Sequence, residues 1–536
     1  MFFIETIAIL MRSYCIVEHI TNEFMKRIFT IAAVLVFVLL QAHAQPAAKP
    51  AVMTTNWAKV HDQTVRGIDQ LYNLEMDKAE ATFSEVIRMA PEDPRGHFFM
   101  SMIHFWVFTL NKDEKAFESF FELTDKVIAI CDKLLDRDEN DVVATFFLGG
   151  AYGYRGIAYQ RNGSVLKAAW DGRKGYSYLK DAVTLKPDLY DAQMGFGLFS
   201  YLVGKVPKSY RWLLNIIGFN GDVEGGLASL KMAADSGTYT RTEARFFLAQ
   251  FLNVEDREEE ARGYVLSLID QYPENALFLV TLAQWDYRDE RIESAIEAAQ
   301  KAIVINERRK LQFGDEFAHS VLGNCYYVKN DFTNAAANFE LYMEKIENKE
   351  IIPNNMYTRL GISYEAIGER EKAVAIYKLA KTAEPGQWNY RHYQTAQLRI
   401  RVPLTEVDLM LIKAENEASL KQHAAAVKMY QDALKKGPDT EQLATGLYGI
   451  VESYYDMEQY EQAVETALVL VTLQPKRETS LIPYGYYRLG QAYAKLGKVN
   501  EARAAFEAVD RYDNYDNQSR LESRVEQELQ KLSAVN

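Results

Sequence analysis

The sequence predicts an all-α protein, a right-handed superhelical solenoid of helix–turn–helix repeats. Three observations carry this. Small and aromatic residues return at fixed offsets: Gly361, Tyr364, Ala373, Tyr377, Ala380 and Pro385 stand at 0, 3, 12, 16, 19 and 24. Alanines of the expected second helices recur at 261, 295, 335, 373, 426, 463 and 502, with gaps of 34, 40, 38, 53, 37 and 39. And 536 residues exceed what one compact core accommodates, a limit that stacked repeats escape because each buries its face only against its neighbours.

Composition fits a folded chain, 48% hydrophobic and 25% charged with 13 prolines. A net charge of −13 argues against a nucleic-acid partner, which calls for a basic footprint. No long single-sign block stands out, so the acidity reads as solvated surface.

The first segment, residues 1–24, reads as an upstream mis-start, because Glu5, Glu18 and Glu23 oppose the positive charge an export signal needs. Residues 25–44 carry that signal. Met25-Lys26-Arg27 precedes uncharged Ile28 to Leu40, and Ala42-His43-Ala44 precedes Gln45, the pattern of a secretory signal peptide. Thirteen apolar residues are too few to span a bilayer comfortably. No cysteine follows them for lipid attachment, so the expectation is an exported protein of a bacterial envelope, in the periplasm. Residues 45–56 form a linker.

Residues 57–238 form a divergent N-terminal region. Gly67, Ala79, Phe83 and Pro91 fit the repeat offsets. Phe98 to Leu110 and Ala116 to Leu135 read as helices without the small-residue code. A Gly/Tyr-rich helix, Val142 to Gln160, and a helix from Lys167 to Leu185 follow. A central array, 239–400, carries Ala261 with Pro273, then Ala295, Ala299 and Ala302, then Gly323, Tyr326, Ala335 and Phe339, and the copy around Gly361. There Tyr357, Leu360, Gly361 and Tyr364 sit at i, i+3, i+4 and i+7, one helical face, and Pro385 ends the hairpin. Gly386 to Pro403 is an extra stretch, expected to form a bend or seam. A C-terminal array, 401–532, carries Ala426, Tyr430, Ala433 and Pro438, then Ala463, Ala467 and Pro475, then Gly490, Tyr493, Ala502 and Phe506.

These offsets and residue types resemble the tetratricopeptide repeat (TPR), a 34-residue helix–turn–helix unit. Residues 194–227 are also similar to a eukaryotic TPR family that includes the mitochondrial inclusion-body clearance protein. Gly195, Phe199, Pro207, Leu213, Leu214, Gly218, Phe219, Gly221, Asp222, Gly226 and Leu227 carry that likeness. It implies a shared architecture and supplies no catalytic residues.

Motifs for chemistry are absent. No H-E-x-x-H or metal-spaced ligand pair occurs among the eight histidines, and His97 and His104 read as members of an aromatic-rich helix. There is no nucleophile elbow; Gly195-Phe-Gly197 lacks a third glycine; Gly497-Lys498 lacks the rest of a P-loop. The expectation is a non-enzymatic protein without cofactor. Cys131 and Cys325 read as buried thiols rather than a disulfide.

What remains is binding. The TPR resemblance implies a concave groove lined by first-helix residues at −6, −3, +1, +4 and +5 from the crossing residue. On this chain the pattern selects Gln284 and Tyr287, Asn324 and Tyr327, Glu365, Tyr455 and Gln491. Amides satisfy an extended peptide's backbone and tyrosines add area with a polar tip, so the expected partner is a protein or peptide. The lysine-and-asparagine carboxylate clamp of chaperone-binding TPR domains is not reproduced; only Asn324 and Lys495 resemble it. Lys205 to Phe219, a basic, Trp-bearing amphipathic segment, supports an alternative reading as a peripheral membrane contact.

Overall fold

The computed structural model describes residues 56–111, 113–206, 221–346, 348–384, 389–477 and 479–534. The expected signal peptide and most of Lys205–Phe219 lie outside them. Among the described residues there are 24 α-helices and no strands, the all-α repeat solenoid expected. The chain divides into two compact units, Met1–Leu282 with Leu311–Phe313, and Ala283–Lys310 with Gly314–Asn536. The division runs through the stretch that the sequence reads as one central array.

The first unit holds α1 (Trp57–Tyr72), α2 (Met76–Met89), α3 (Pro94–Asn111), α4 (Glu114–Leu135), α5 (Val142–Arg161), α6 (Val165–Leu185), α7 (Tyr190–Gly204), α8 (Val223–Ser236), α9 (Arg241–Val254) and α10 (Glu258–Gln271). It also holds the start of α11 (Ala276–Arg288). The second holds the end of α11, then α12 (Ile292–Arg309), α13 (Asp315–Val328), α14 (Phe332–Lys345), α15 (Asn354–Ala366), α16 (Arg370–Tyr377), α17 (Tyr390–Arg401), α18 (Glu406–Ser419), α19 (His423–Leu434), α20 (Thr440–Asp456), α21 (Tyr460–Leu470), α22 (Leu481–Lys495), α23 (Val499–Glu507) and α24 (Gln518–Ala534).

One construction repeats eight times. The crossing residues Gly67, Ala249, Ala283, Gly323, Gly361, Ala414, Val451 and Gly490 are buried, as is the alanine twelve positions after each. Seven positions after each, the backbone turns left-handed, at Leu74, Asp256, Glu290, Asn330, Gly368, Lys421, Glu458 and Gly497, with φ between 56 and 85°. The next amide then bonds back to the carbonyl five residues earlier, as in Glu369 N–H to Tyr364 O at 2.8 Å and Lys498 N–H to Tyr493 O at 2.9 Å. This is the αL stop of a Schellman motif, which satisfies carbonyls the helix end would leave bare. Only two of the eight positions are glycine, so six copies tolerate a side chain where one costs about 1–2 kcal/mol.

Volume is exchanged across each crossing. Where the first helix presents glycine, the residue sixteen positions on is aromatic and fills the gap. A Cβ on Gly67, Gly323, Gly361 or Gly490 would come within 3.0 Å of the ring of Phe83, Phe339, Tyr377 or Phe506. Where the first helix keeps a side chain, the partner shrinks: Ala249 with Val265, Ala283 with Ala299, Val451 with Ala467. Ala414 with Tyr430 departs from this, and that ring packs against Gly449 of the following helix.

The divergent region hides a ninth copy. Gly156 is followed at +7 by left-handed Gly163, and Ser164 N–H bonds Tyr159 O at 2.8 Å. Here +16 is Gly172, so α5 and α6 meet backbone to backbone: a Cβ on Gly156 would lie 3.0 Å from Gly172 N. The helices α7 and α8 approach in the same way, through Gly197 and Gly226. Gly386–Pro403, expected as a bend or seam, lies partly outside the described residues. Its described part folds as α17, held by Arg370 Nη2–H to Ile400 O at 3.2 Å.

Candidate functional site

In the second unit a polar cavity of about 290 Å³ lies among α13, α15, α17, α18 and α20. Arg359, on α15, lines it. Burial of Leu360 and Gly361 in the hairpin fixes α15, and Arg359, one position before them, projects toward the preceding repeat. Its Nη1 donates to the Tyr287 hydroxyl at 2.8 Å and to Asn324 Oδ1, while the guanidinium lies 5.2 Å from the centre of the Tyr327 ring. These partners are all neutral. Among the described residues no carboxylate lies within ion-pair distance of Arg359.

The same device recurs once, with a different ending. Arg488 precedes Gly490 as Arg359 precedes Gly361, and its guanidinium sits 4.8 Å from the Tyr455 ring. Tyr455 stands four positions after Val451, as Tyr327 does after Gly323. But the residue one position after Val451 is Glu452, and it takes Arg488 in a bidentate pair at 2.5 and 2.7 Å. One position after Gly323 stands Asn324. One arginine is paired by a carboxylate of the preceding repeat and the other is not.

The surroundings carry mixed charge. Arg391, Arg399 and Arg477 line the cavity together with Asp408, Glu415 and Glu441. Asp408 is held by Arg399 at 2.9 Å and by its own capping box with Thr405; Glu441 accepts from the Lys476 and Arg477 amides. Thr358 Oγ1 meets His392 Nδ1 at 3.2 Å. Burial, then the charges of Arg359 and Arg391, depress the His392 imidazole to about 4, so it is neutral at pH 7.

The seven expected groove residues divide. Tyr287, Asn324 and Tyr327 converge on Arg359, while Gln284 lies partly exposed on α11 near them in sequence. Tyr455 and Gln491 gather on Arg488, Gln491 Oε1 accepting from it at 3.0 Å. Glu365 is committed to the fold: Oε1 accepts from Arg370 and from the Tyr377 hydroxyl, Oε2 from the Leu404 amide at 2.7 Å. Asn324 and Tyr327 are each only 7% exposed, whereas Arg359 and Arg488 are partly exposed, as are Tyr287, Tyr455, Gln284 and Gln491. Sequence reading missed the two arginines because −2 is outside the groove pattern. The signal was the tripeptide Arg-Leu-Gly, present at 359–361 and again at 488–490.

Elsewhere the described residues hold no group of three or more side chains able to bind a metal ion. Both Cys131 and Cys325 are buried free thiols. No described helix is long and apolar enough to cross a membrane. Lys205 is engaged, its Nζ 2.7 Å from Glu255.

These features define a tetratricopeptide-repeat protein, and comparison agrees: residues 355–387 and 483–516 match a tetratricopeptide-repeat model. Residues 191–349 match the family described as Iml2/Tetratricopeptide repeat protein 39, so this chain is a TPR protein resembling that family over a stretch well beyond residue 227. Among solved structures, a tetratricopeptide repeat protein from Parabacteroides merdae is 12% identical, with 56% of this chain and 98% of that one covered, at a TM-score of 0.29. Yeast Tom70 is 11% identical, with 83% and 99% covered, at 0.28. A human IFIT1 dimer with m7Gppp-AAAA is 16% identical, with 84% and 94% covered, at 0.32. Scores this low say nothing of ligand or partner.

Proposed function

We propose that this chain is a non-enzymatic protein-interaction scaffold whose second unit holds an extended acidic peptide segment against Arg359. TPR repeats generally mediate protein–protein contact, and the observation that carries the finer reading is the contrast between the two stacked arginines. A buried cation with no carboxylate in contact forfeits hydration for little ionic return; Arg488 recovers it through Glu452, whereas Arg359 feels Glu415 only beyond ion-pair distance and would recover the rest from a ligand. Arginine suits this because its planar fork reads carboxylates in two parallel hydrogen bonds.

The test is to build the missing carboxylate. Asn324→Glu places an acid where Glu452 stands in the other copy. Partner capture from envelope extracts should fall at least tenfold while the melting temperature holds or rises, and Arg359→Met should lose capture too. Undiminished capture by both variants would remove the groove from consideration.

We place this scaffold in the bacterial envelope, in the periplasm, on the strength of the Met25–Ala44 signature. Mass spectrometry of the native protein should find Gln45 at its start; a retained Met1 or Met25 would refute export by this signal.

A further inference from the structure

The first unit contains a second cavity, of about 60 Å³, among α1, α3, α5, α7 and α9. Its walls are aromatic, with Tyr72, Phe98, Phe99, Trp106, Phe146 and Tyr154 among them. Two carboxyl groups break this apolar lining, Asp191 and Glu243. Asp191 is tied to the turn before α9: Oδ1 accepts from the amides of Thr238, Tyr239 and Thr240 at 2.8, 2.8 and 2.9 Å, and from Thr240 Oγ1 at 3.0 Å. Glu243 is 7% exposed, the Tyr72 and Tyr154 hydroxyls face it, and its Oε1 has no hydrogen-bond partner. No cation of the chain neutralises it among the described residues; the nearby Arg95 is held in a double hydrogen bond by Asp93, at 2.9 Å each.

A buried acceptor of this kind is costly unless something fills it. Aromatic faces attract organic cations, and an orphan carboxyl oxygen accepts an N–H. Space of this size admits on the order of four to six water-sized groups. Trp106, Ile157 and Phe199 in the lining are only partly buried, so the cavity reaches the surface at that rim. We propose that this cavity binds a small organic ammonium ion of about four to six heavy atoms that donates an N–H to Glu243. The site is independent of the groove around Arg359.

Glu243 must be ionised to pair with such an ion. Burial moves its carboxyl up to about 7, so binding should be roughly tenfold weaker at pH 6 than at pH 8. The other groups facing the cavity are Tyr72, Tyr154, Tyr239 and the capped Asp191; Tyr239 in turn meets His61 Nδ1 at 2.8 Å.

The experiment is calorimetric titration of the full chain at pH 8 with n-propylammonium chloride, tetramethylammonium chloride and 1-propanol. The expected result is saturable binding of propylammonium, at least tenfold weaker binding of tetramethylammonium, which has no N–H, and none of the alcohol. Glu243→Gln should abolish the signal with helicity intact. Gly153→Leu gives a second probe, because a Cβ there would meet only the Phe199 ring, at 3.7 Å, and its larger side chain would occupy the space. Equal binding of propanol would overturn the proposal in favour of a neutral ligand. No heat from any of the three would make the cavity a hydrated packing gap, and binding that survives both substitutions would place the ion elsewhere.

Discussion

Gly361 and the Tyr377 ring occupy one space: a Cβ on the glycine would stand closer than 3.0 Å to the ring. The two are sixteen positions apart on α15 and α16, and each makes room for the other. Gly361→Ala alone should therefore cost about 1–3 kcal/mol through overpacking. Tyr377→Leu alone should cost a comparable amount through the void it opens, and it also removes a 3.1 Å hydrogen bond to Glu365. Made together, the two should be less damaging than their sum, with a coupling of about 1 kcal/mol or more in chemical denaturation. Strict additivity would show that the exchange of volume is not what holds the hairpin.

The left-handed turn offers a gain. Glu458 is exposed, with φ of 59°, at the position filled by Gly368 and Gly497 in two other copies. Glu458→Gly relieves the Cβ penalty and should stabilise the second unit by about 0.5–1 kcal/mol. Glu458→Val should destabilise it, since a β-branched residue fits this conformation worst. Thermal unfolding of the two variants beside wild type decides.

Glu243 gives a signed pH dependence. Its carboxyl moves from 4.5 in the open chain to about 7 in the fold, so between those values the folded state binds the extra proton. Stability must then fall as pH rises from about 4.5 to 7 and level off above. The full effect is about 3 kcal/mol, at about 1.4 kcal/mol per pH unit. Glu243→Gln should remove that decline: the difference in unfolding free energy between variant and wild type should grow in the variant's favour from pH 5 to pH 8. A constant difference would mean that the carboxyl titrates normally.

Asp191 ties the start of α7 to the turn before α9 through three amides and a hydroxyl. Asp191→Ala leaves those donors buried without an acceptor and should cost about 2–4 kcal/mol. Asp191→Asn, which keeps Oδ1, should cost about half as much. Amide exchange at Thr238 to Thr240 should accelerate in the alanine variant before the rest of the unit opens.

Much of this fold was legible because its rules are local. A crossing residue with an alanine twelve on and, after a crossing glycine, a ring sixteen on are readable from sequence, and the alanine twelve on is buried in all eight copies. The copy at Gly156 escaped because its +16 residue, Gly172, replaces a ring by nothing. The candidate site was harder. Asn324, Tyr327 and Tyr287 were identifiable as groove positions, but their meaning depends on Arg359, whose long side chain reaches back across a repeat boundary that sequence offsets do not encode. Glu243 and Asp191 were invisible for a related reason. Their importance lies in what surrounds them in three dimensions, and among 74 acidic residues no spacing marks out the two that line this cavity.

The eight hairpins share the interval from crossing residue to turn to second alanine without variation, while from Ala249 onward the distance from one hairpin to the next runs from 34 to 53 residues. An inserted residue inside a hairpin would shift every later contact by a third of a helical turn; one between hairpins shifts nothing. The chain thus has a built-in map of where it can lengthen. α17 occupies the longest of these intervals and supplies His392 and Arg399 to the wall of the polar cavity. New chemistry enters this architecture through its joints, and the joints are where a designer should write.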